Sequence, residues 1–240
     1  MNGAALFMVQ KQVKSKKRVA DHGEVFTADR EVNAMLDLVK TETERIDSRF
    51  LEPACGNGNF LAEIMRRKLA AVKKQYGKNP ADFEKYAVMA ATSVYGVDIL
   101  EDNVKECRRR IFNIWNKSYT ANCREEANEP CRIAVKYILK RNILWGNALD
   151  MKMTDGKPII FSEWSFVTGN LVKRRDFRLD VLMKEQGKGD TRNDQMCLAS
   201  YEVNADNEVN WEYDPEARSA IPKPIREFPL TDYREVQRYE

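Results

Sequence analysis

Hydrophobic side chains follow two different spacings along this chain, and the alternation between them predicts an α/β fold. Apolar residues at every third or fourth position indicate helices near 27–39, 60–90 with a break at 77–80, 101–116 and 133–140. Short apolar runs between those helices indicate strands near 49–53, 93–98, 142–145 and 158–161. Strands that alternate with helices form parallel sheets with right-handed crossovers. We therefore expect a mostly parallel sheet with helices on both faces.

The alternation stops after Val172, where the predicted elements become short. They are, in order, a strand or short helix at 177–183, a turn-rich connection at 186–194, a β-hairpin from 196–203 and 209–213, and an irregular tail marked by Pro222, Pro224 and Pro229. The chain therefore divides into a basic, poorly ordered N-terminal arm of residues 1–20, a main domain of residues 21–172, and a C-terminal β and tail region of residues 173–240.

The composition is that of one soluble α/β domain with appendages. Of 240 residues, 43% are hydrophobic and 32% are charged, which excludes a disordered chain. No apolar run approaches the roughly 18–20 residues of a membrane helix, so we expect no membrane partner. The five cysteines never form a C-x-x-C pair, and His22 is the one histidine. This composition argues against a metal site, a disulfide scaffold and a Ser-His-Asp hydrolase, and it favours a reducing cytoplasm.

The formal net charge of +3 conceals two unlike parts. Residues 201–240 contain ten acidic and five basic residues, so this tail carries about −5 and the preceding part about +8. Basic clusters stand at 11–18, 108–110 and 173–178. These clusters predict that any polyanionic partner, DNA above all, would meet the larger part of the chain.

The strongest local motif is the glycine-containing turn between the first predicted strand and its helix. Gly56 and Gly58 remove side chains where a strand turns into a helix, so that main-chain N–H groups can approach a ligand. Asp98 ends the next predicted strand, where a carboxylate can accept both hydroxyls of a ribose. This series predicts a cofactor that contains a nucleoside. The absence of a third glycine and of a P-loop lysine disfavours dinucleotides and nucleoside triphosphates.

Three segments together resemble the adenine-specific DNA methyltransferases of restriction–modification systems. The segment 52–61, E-P-A-C-G-N-G-N-F-L, is similar to that family's cofactor motif [D/E]-P-A-C-G-[S/N]-G-x-F-L. The segment 22–27, H-G-E-V-F-T, resembles its G-E-[FY]-[FY]-T-P motif, and W-G-N-A-L-D at 145–150 is similar to its G-[DN]-[AST]-L segment. The resemblance implies a Rossmann-like methyltransferase fold and S-adenosylmethionine as the cofactor.

The same resemblance implies a set of cofactor-binding residues. Glu52 would lie near the methionine amino group, Asp98 would bind the ribose, and Ile99 would pack on the adenine. The other implied residues are Phe26 and Thr27 as a cap, Pro53, Ala54, Gly56, Gly58 and Phe60 around the turn, and Asn147 at the adenine edge.

The family's catalytic tetrad [DN]-P-P-[YFW], which binds the flipped-out base, is absent from the sequence. After the strand at 158–161, the chain instead has Ser162, Glu163 and Trp164 at the expected strand end. Three alternatives remain open. In the first, Glu163 replaces the residue that accepts hydrogen bonds from the amine, and Trp164 or Phe166 stacks on the base. In the second, the pocket accepts another substrate. In the third, the site is inactive.

The sequence thus predicts a methyltransferase acting on the exocyclic amine of adenine in DNA, of restriction–modification or phage type. The alternatives are a cofactor-binding but inactive accessory subunit, or a methyltransferase for RNA or protein. Because only the acidic region after Val172 remains for target recognition, we expect either loose specificity or a separate recognition subunit.

Overall fold

The computed structural model describes residues 12–184, 211–214 and 219–239. The helices are α1 (Lys16–His22), α2 (Asp29–Asp37), α3 (Lys40–Glu44), α4 (Asn59–Tyr76), α5 (Pro80–Thr92), α6 (Glu101–Cys123), α7 (Glu129–Asn142) and α8 (Leu179–Lys184). The strands are β1 (Phe50–Glu52), β2 (Val94–Asp98), β3 (Ile143–Asn147), β4 (Lys152–Met153), β5 (Ile160–Phe166), β6 (Leu171–Arg178), β7 (Trp211–Asp214), β8 (Ser219–Pro222), β9 (Arg226–Glu227) and β10 (Thr231–Asp232). No helix in these ranges is long and apolar enough to cross a membrane.

The main sheet has the strand order β1-β2-β3-β4. Pairing is parallel between β1 and β2 and between β2 and β3, and antiparallel between β3 and β4. Every residue of β2 is buried, as is typical of a central parallel strand covered on both faces. The predicted α/β class and mostly parallel sheet are therefore confirmed.

The four long helices, α4 to α7, contribute to one large apolar cluster against one face of the sheet. The opposite face presents Tyr95, Val97 and Leu144, which pack against Phe161 of β5 and Leu179 at the start of α8. The second face is thus covered mainly by a β-hairpin, whereas the sequence predicts helices there.

Strand β5 departs from the predicted topology. It runs from Ile160 to Phe166, beyond the predicted end at residue 161, and pairs antiparallel with β6 in a second sheet of order β10-β6-β5. The connection between the two strands is four residues long, and Gly169 within it has a φ of 62°. So short a turn permits an antiparallel hairpin, whereas a parallel neighbour needs a crossover of about a dozen residues. The boundary predicted at residue 172 consequently falls inside β6.

Two helices begin or end outside their predicted limits. Helix α6 continues to Cys123, and α7 begins at Glu129. Most of the segment 117–132, which separates the two predicted helices, is therefore helical. Asn128 causes the early start of α7, because its side-chain oxygen accepts a hydrogen bond of 2.9 Å from the N–H of Cys131.

The C-terminal tail is anchored to the domain, contrary to its predicted irregularity. Residues 233–239 form a 3₁₀ helix against α7, with Tyr233 and Val236 buried. The hydroxyl of Tyr233 donates to Glu84 at 2.8 Å, and Arg234 forms an ion pair with the same carboxylate at 2.6 Å. The predicted strand at 196–203 and the predicted connection at 186–194 lie outside the described residues. The second predicted strand, at 209–213, overlaps β7, which pairs with β8.

The N-terminal arm contains helix α1, where the composition predicts a poorly ordered segment; residues 1–11 lie outside the described part. Ser15 caps the helix by accepting a hydrogen bond of 3.2 Å from the N–H of Arg18. Gly23 ends it with a φ of 63°. The arm therefore reaches residue 24 in a defined direction, toward the ends of β1 and β2.

Candidate functional site

A pocket of about 520 Å³ lies where β1, β2 and β3 end, beneath the segment that follows α1. Its walls include ten of the eleven residues predicted to bind the cofactor: Phe26, Thr27, Glu52, Pro53, Ala54, Gly56, Phe60, Asp98, Ile99 and Asn147. The eleventh, Gly58, is the N-cap of α4 directly behind the turn. Residues spread over 120 positions of sequence are therefore brought to one cleft, because parallel strands end at the same edge of a sheet.

The glycine turn is shaped by two residues in the left-handed region. Gly56 has a φ of 52° and Gly58 a φ of 86°. A Cβ atom on Gly58 would lie 2.6 Å from Cys107 Sγ, and one on Gly56 would lie 3.2 Å from the ring of Phe26. Both backbone conformation and close packing therefore require glycine at these positions. Cys107 of α6 thus packs against the turn at Gly58, and the ring of Phe26 packs against it at Gly56.

Asp98 connects the end of β2 to this turn. One carboxylate oxygen accepts a hydrogen bond of 2.8 Å from the N–H of Gly56. The other accepts bonds from the N–H of Leu100 at 2.9 Å and from the side chain of Asn103 at 3.2 Å. A carboxylate offers about four lone-pair sites, so Asp98 retains room for one further donor. The sequence prediction assigned both hydroxyls of a ribose to it.

Glu52 is half-buried in the pocket without a cation beside it. Burial raises the pKa of its carboxyl, and the weak hydrogen bond of 3.4 Å from the N–H of Ala54 opposes that shift. Among the described residues the pocket walls contain three carboxylates, those of Glu24, Glu52 and Asp98, and neither lysine nor arginine. Arg18 is ion-paired with Glu24, so the negative charge of the pocket comes from Glu52 and Asp98. That charge favours a cationic ligand and disfavours phosphates.

The roof of the pocket is held by the basic arm. Arg18 forms ion pairs of 2.6 Å with Glu24 and with Asp102, and Lys14 reaches Asp102 at 2.9 Å. The Arg18 hydrogen bond holds the pKa of Asp102 well below its usual range. These contacts fix the segment from Glu24 to Thr27 above the turn. Its far end is fixed by Asn59, which donates to the main-chain oxygen of Thr27 at 2.8 Å.

The outer rim of the pocket is apolar and open to solvent. Ile99 is 47% exposed and Leu149 is 93% exposed, and both line the pocket. Trp145 donates from its indole nitrogen to the main-chain oxygen of Ile99 at 3.0 Å and remains 36% exposed. Trp145 is therefore a surface residue beside the pocket and not part of the core. Asn147 orders the rim by accepting a bond of 2.9 Å from the N–H of Leu149.

The three predicted catalytic residues do not reach this pocket. They lie in the middle of β5, not at a strand end, because β5 continues to Phe166 in the second sheet. Ser162 is fully buried and donates to Asp176 at 2.7 Å, and Trp164 donates to Asn142 at 3.0 Å. Glu163 forms an ion pair of 2.7 Å with Arg175 and a second one with Arg49. All three side chains therefore hold elements of the fold together.

The basic clusters that predicted a polyanion-binding surface also have intramolecular partners. In the cluster at 108–110, Arg108 donates to the main-chain oxygen of Ile143 and Arg110 donates to that of Asn57 at 2.9 Å. In the cluster at 173–178 the pairs are Lys173 with Glu227, Arg174 with Asp176, Arg175 with Glu163 and Arg178 with Asp180. The four ion pairs neutralise charge in the cluster at 173–178, whereas Arg108 and Arg110 bind uncharged main-chain oxygens that hold neighbouring segments in place.

Several pocket residues escaped prediction from the sequence. Glu24 and Asn103 join the roof to Asp98, since Asn103 donates to Glu24 at 2.7 Å. Asn57 contributes a buried side-chain oxygen that has no hydrogen-bond partner in the described part of the chain. Comparison of the chain with protein-family models, curated proteins and solved structures finds no match. What the pocket binds has to follow from its own geometry and charge.

Proposed function

We propose that this chain is the S-adenosylmethionine-binding part of a methyltransferase acting on the exocyclic amine of adenine in DNA. We further propose that the surface holding the base comes from a second polypeptide. The observation that carries the proposal is the pocket at the ends of the parallel strands. Its described walls contain three carboxylates, one of them paired with Arg18, and neither lysine nor arginine.

The charge of the pocket distinguishes between nucleoside cofactors. S-adenosylmethionine has a sulfonium, an ammonium and a carboxylate, and so carries a net positive charge, whereas dinucleotides and nucleoside triphosphates carry negative phosphates. Two unit charges 4 Å apart interact by about 1 kcal/mol in water and about 4 kcal/mol near a protein surface. Glu52 alone therefore supports selection for the cationic ligand by one to three orders of magnitude.

Individual residues fit parts of that ligand. The half-buried carboxylate of Glu52 is suited to the ammonium group, because a cation there would relieve its burial. Asp98 retains one accepting site for a ribose hydroxyl, and the unpartnered oxygen of Asn57 can accept from a second donor. Phe26 closes the pocket from above and Ile99 offers an apolar face to the adenine.

The acceptor side of the reaction has no counterpart in this pocket. When bound, S-adenosylmethionine supplies an electrophilic methyl group, and a base amine must be held in line with it. Ser162, Glu163 and Trp164, the residues that the sequence predicts for this task, are occupied in the second sheet. This placement favours the interpretation in which the chain binds the cofactor and transfers no methyl group alone.

Calorimetric titration of the full chain with S-adenosylmethionine, ATP and NAD tests the cofactor assignment. We expect binding of the first and none of the other two, and at least tenfold weaker binding in Glu52→Gln. Glu129→Gln, which removes a carboxylate 60% exposed on α7, is the matched control and should bind normally. Preferential binding of ATP, or an unchanged affinity in Glu52→Gln, would overturn the assignment.

Incubation of the chain with radiolabelled S-adenosylmethionine and mixed-sequence DNA tests the second half of the proposal. We expect no label in DNA from the isolated chain and label at adenine once the second polypeptide is added. Methylation of DNA by the chain alone would show that its acceptor site is complete.

A further inference from the structure

Asn103 lies in the first turn of α6, where the roof of the pocket meets the end of β2. We infer that Asn103 is a positioning residue for the nucleoside part of the ligand: its amide fixes the carboxylates of Glu24 and Asp98 and leaves Asp98 one accepting site for a ribose hydroxyl. The inference rests on the proposed function, in which Asp98 binds a ribose. It gives a role to a residue that acts on the ligand through Asp98.

The side-chain amide of Asn103 uses all of its hydrogen-bonding capacity within the protein. Its nitrogen donates to Glu24 at 2.7 Å and to Asp98 at 3.2 Å. Its oxygen accepts from Lys14 at 2.6 Å and from Arg18 at 3.2 Å. Because an amide has two N–H donors and two accepting lone pairs, these four bonds account for the whole group.

The charges around Asn103 permit one orientation of this amide. Carboxylates lie on its nitrogen side and cations on its oxygen side. Rotation by half a turn would direct the N–H groups at Lys14 and Arg18 and the oxygen at two carboxylates, so that all four contacts would become repulsive. The residue is 1% exposed, so water cannot compensate for such a reversal. The amide is therefore fixed before a ligand arrives.

The residue type at position 103 differs from what the start of a helix favours. Acidic side chains are stabilised in the first turn by the helix dipole, and α6 has Glu101 and Asp102 there. Asp102 is 55% exposed and pairs with the same two cations of the arm. An aspartate at position 103 would instead place a third carboxylate against Glu24 and Asp98, which are both buried. The neutral amide thus fits the two carboxylates and not a requirement of the helix.

The bond from Asn103 determines where Asp98 can still accept. One carboxylate oxygen of Asp98 receives both Asn103 and the N–H of Leu100, whereas the other receives only the N–H of Gly56 among the described residues. With about two lone pairs on each oxygen, the remaining site is on the oxygen that faces the glycine turn. Loss of the Asn103 donor would free a site on the other oxygen as well, and water or a hydroxyl could then occupy either.

Asn103 also fixes the roof relative to the end of β2. One NH₂ group donates to both Glu24 and Asp98, so the two carboxylates are held on either side of a single nitrogen. Without a donor between them, two buried carboxylates repel each other. The position of the roof above the ribose site therefore depends on this amide.

Two variants separate the two sides of the amide. Asn103→Asp keeps an oxygen for Lys14 and Arg18 and loses the donors to the carboxylates, whereas Asn103→Leu loses both sides; each conserves the size of the side chain. The matched controls are Asn122→Asp and Asn122→Leu, at the other end of α6, where the amide donates at 2.7 Å to the main-chain oxygen of Ser118 within the same helix. Urea unfolding establishes that each variant is folded.

The assay compares two uncharged ligands, so that a changed charge at position 103 contributes little to binding. Adenosine and 2′,3′-dideoxyadenosine differ only in the ribose hydroxyls, and both are titrated by calorimetry beside S-adenosylmethionine. We expect the unmodified chain and both Asn122 variants to prefer adenosine about tenfold or more. In both Asn103 variants this preference should fall by about threefold or more. A merely structural role would weaken both nucleosides by the same factor and leave the preference unchanged.

A second measurement uses the unmodified chain and so does not depend on the folding of a variant. The NMR resonances of the Asn103 side-chain NH₂ group are followed in isotope-labelled protein during the same two titrations. We expect them to shift more with adenosine than with 2′,3′-dideoxyadenosine, because a hydroxyl bound to Asp98 polarises the carboxylate to which this group donates.

Three outcomes overturn the inference: no preference for adenosine in the unmodified chain, a fall in preference smaller than about threefold in either Asn103 variant, or equal shifts of the NH₂ resonances with the two nucleosides. Failure of the proposed function is distinguishable, because it appears as absent S-adenosylmethionine binding in the unmodified chain, whatever the ratio of the two nucleoside affinities.

Discussion

Replacement of Gly58 by alanine should be the most damaging single change at the glycine turn of the pocket. Two costs combine there. A non-glycine residue at a φ of 86° costs about 1–2 kcal/mol in backbone strain. The new Cβ would also lie 2.6 Å from Cys107 Sγ and 3.3 Å from the Cys107 Cα, and overpacking of this kind costs about 1–3 kcal/mol. We expect Gly58→Ala to lower the free energy of unfolding by about 2–5 kcal/mol.

The chain offers a control that separates the two costs. Gly156 has a φ of 81°, and a Cβ there would meet no atom within 4 Å. Gly156→Ala should therefore show the backbone cost alone, about 1–2 kcal/mol. In the double variant Gly58→Ala/Cys107→Ala the sulfur is gone, so part of the stability lost to overpacking should be recovered. A double-mutant cycle should show this recovery as a coupling energy of about 1–2 kcal/mol.

Urea unfolding followed by circular dichroism measures five proteins, namely the unmodified chain, Gly58→Ala, Gly156→Ala, Cys107→Ala and the double variant, with S-adenosylmethionine titration alongside. Affinity should fall in Gly58→Ala and remain unchanged in Gly156→Ala, because only Gly58 supports the turn. If Gly58→Ala were no less stable than Gly156→Ala, or if removal of the Cys107 sulfur gave no recovery, the close packing of α6 against the turn would be refuted.

Two further predictions concern the arm and a buried lysine. Arg18→Ala removes the ion pairs that hold Glu24 over the pocket, so calorimetry should show about tenfold weaker S-adenosylmethionine binding. Arg30, whose side chain is 92% exposed, is the control, and Arg30→Ala should leave the affinity unchanged. Equal affinity in the two variants would contradict the role of the roof. Lys68 is fully buried and donates to the main-chain oxygens of Arg45 and Ile46 at 3.0 and 2.9 Å, and burial lowers its pKa to about 7. Because the unfolded chain then binds more protons between pH 7 and 10, the free energy of unfolding should rise there by up to about 1.4 kcal/mol per pH unit. The same slope in Lys68→Met, measured by urea unfolding, would contradict this assignment.

The helices and strands that the sequence predicts correctly are those determined by neighbouring residues. The turn at Gly56 and Gly58 follows from a local glycine pattern, and β2 follows from a short apolar run that ends in Asp98. Parallel strands that end in ligand-binding residues bring those residues to one edge, so the pocket could be anticipated as well. Asn128 shows the limit, because a single capping side chain moved the start of α7 by four residues.

Residue types and spacings along the chain thus determined the α/β class, the mostly parallel sheet and the residues that gather in the pocket. Tertiary structure alone decided how the remaining charges and strands are used. Whether Arg175 binds DNA or Glu163 depends on which strand lies opposite, and that pairing joins residues twelve positions apart across a turn. The same holds for β5, which pairs with β6 in the second sheet and not with a strand of the main sheet. Hydrogen bonds between strands depend on the packing of the whole chain and not on the sequence of one strand.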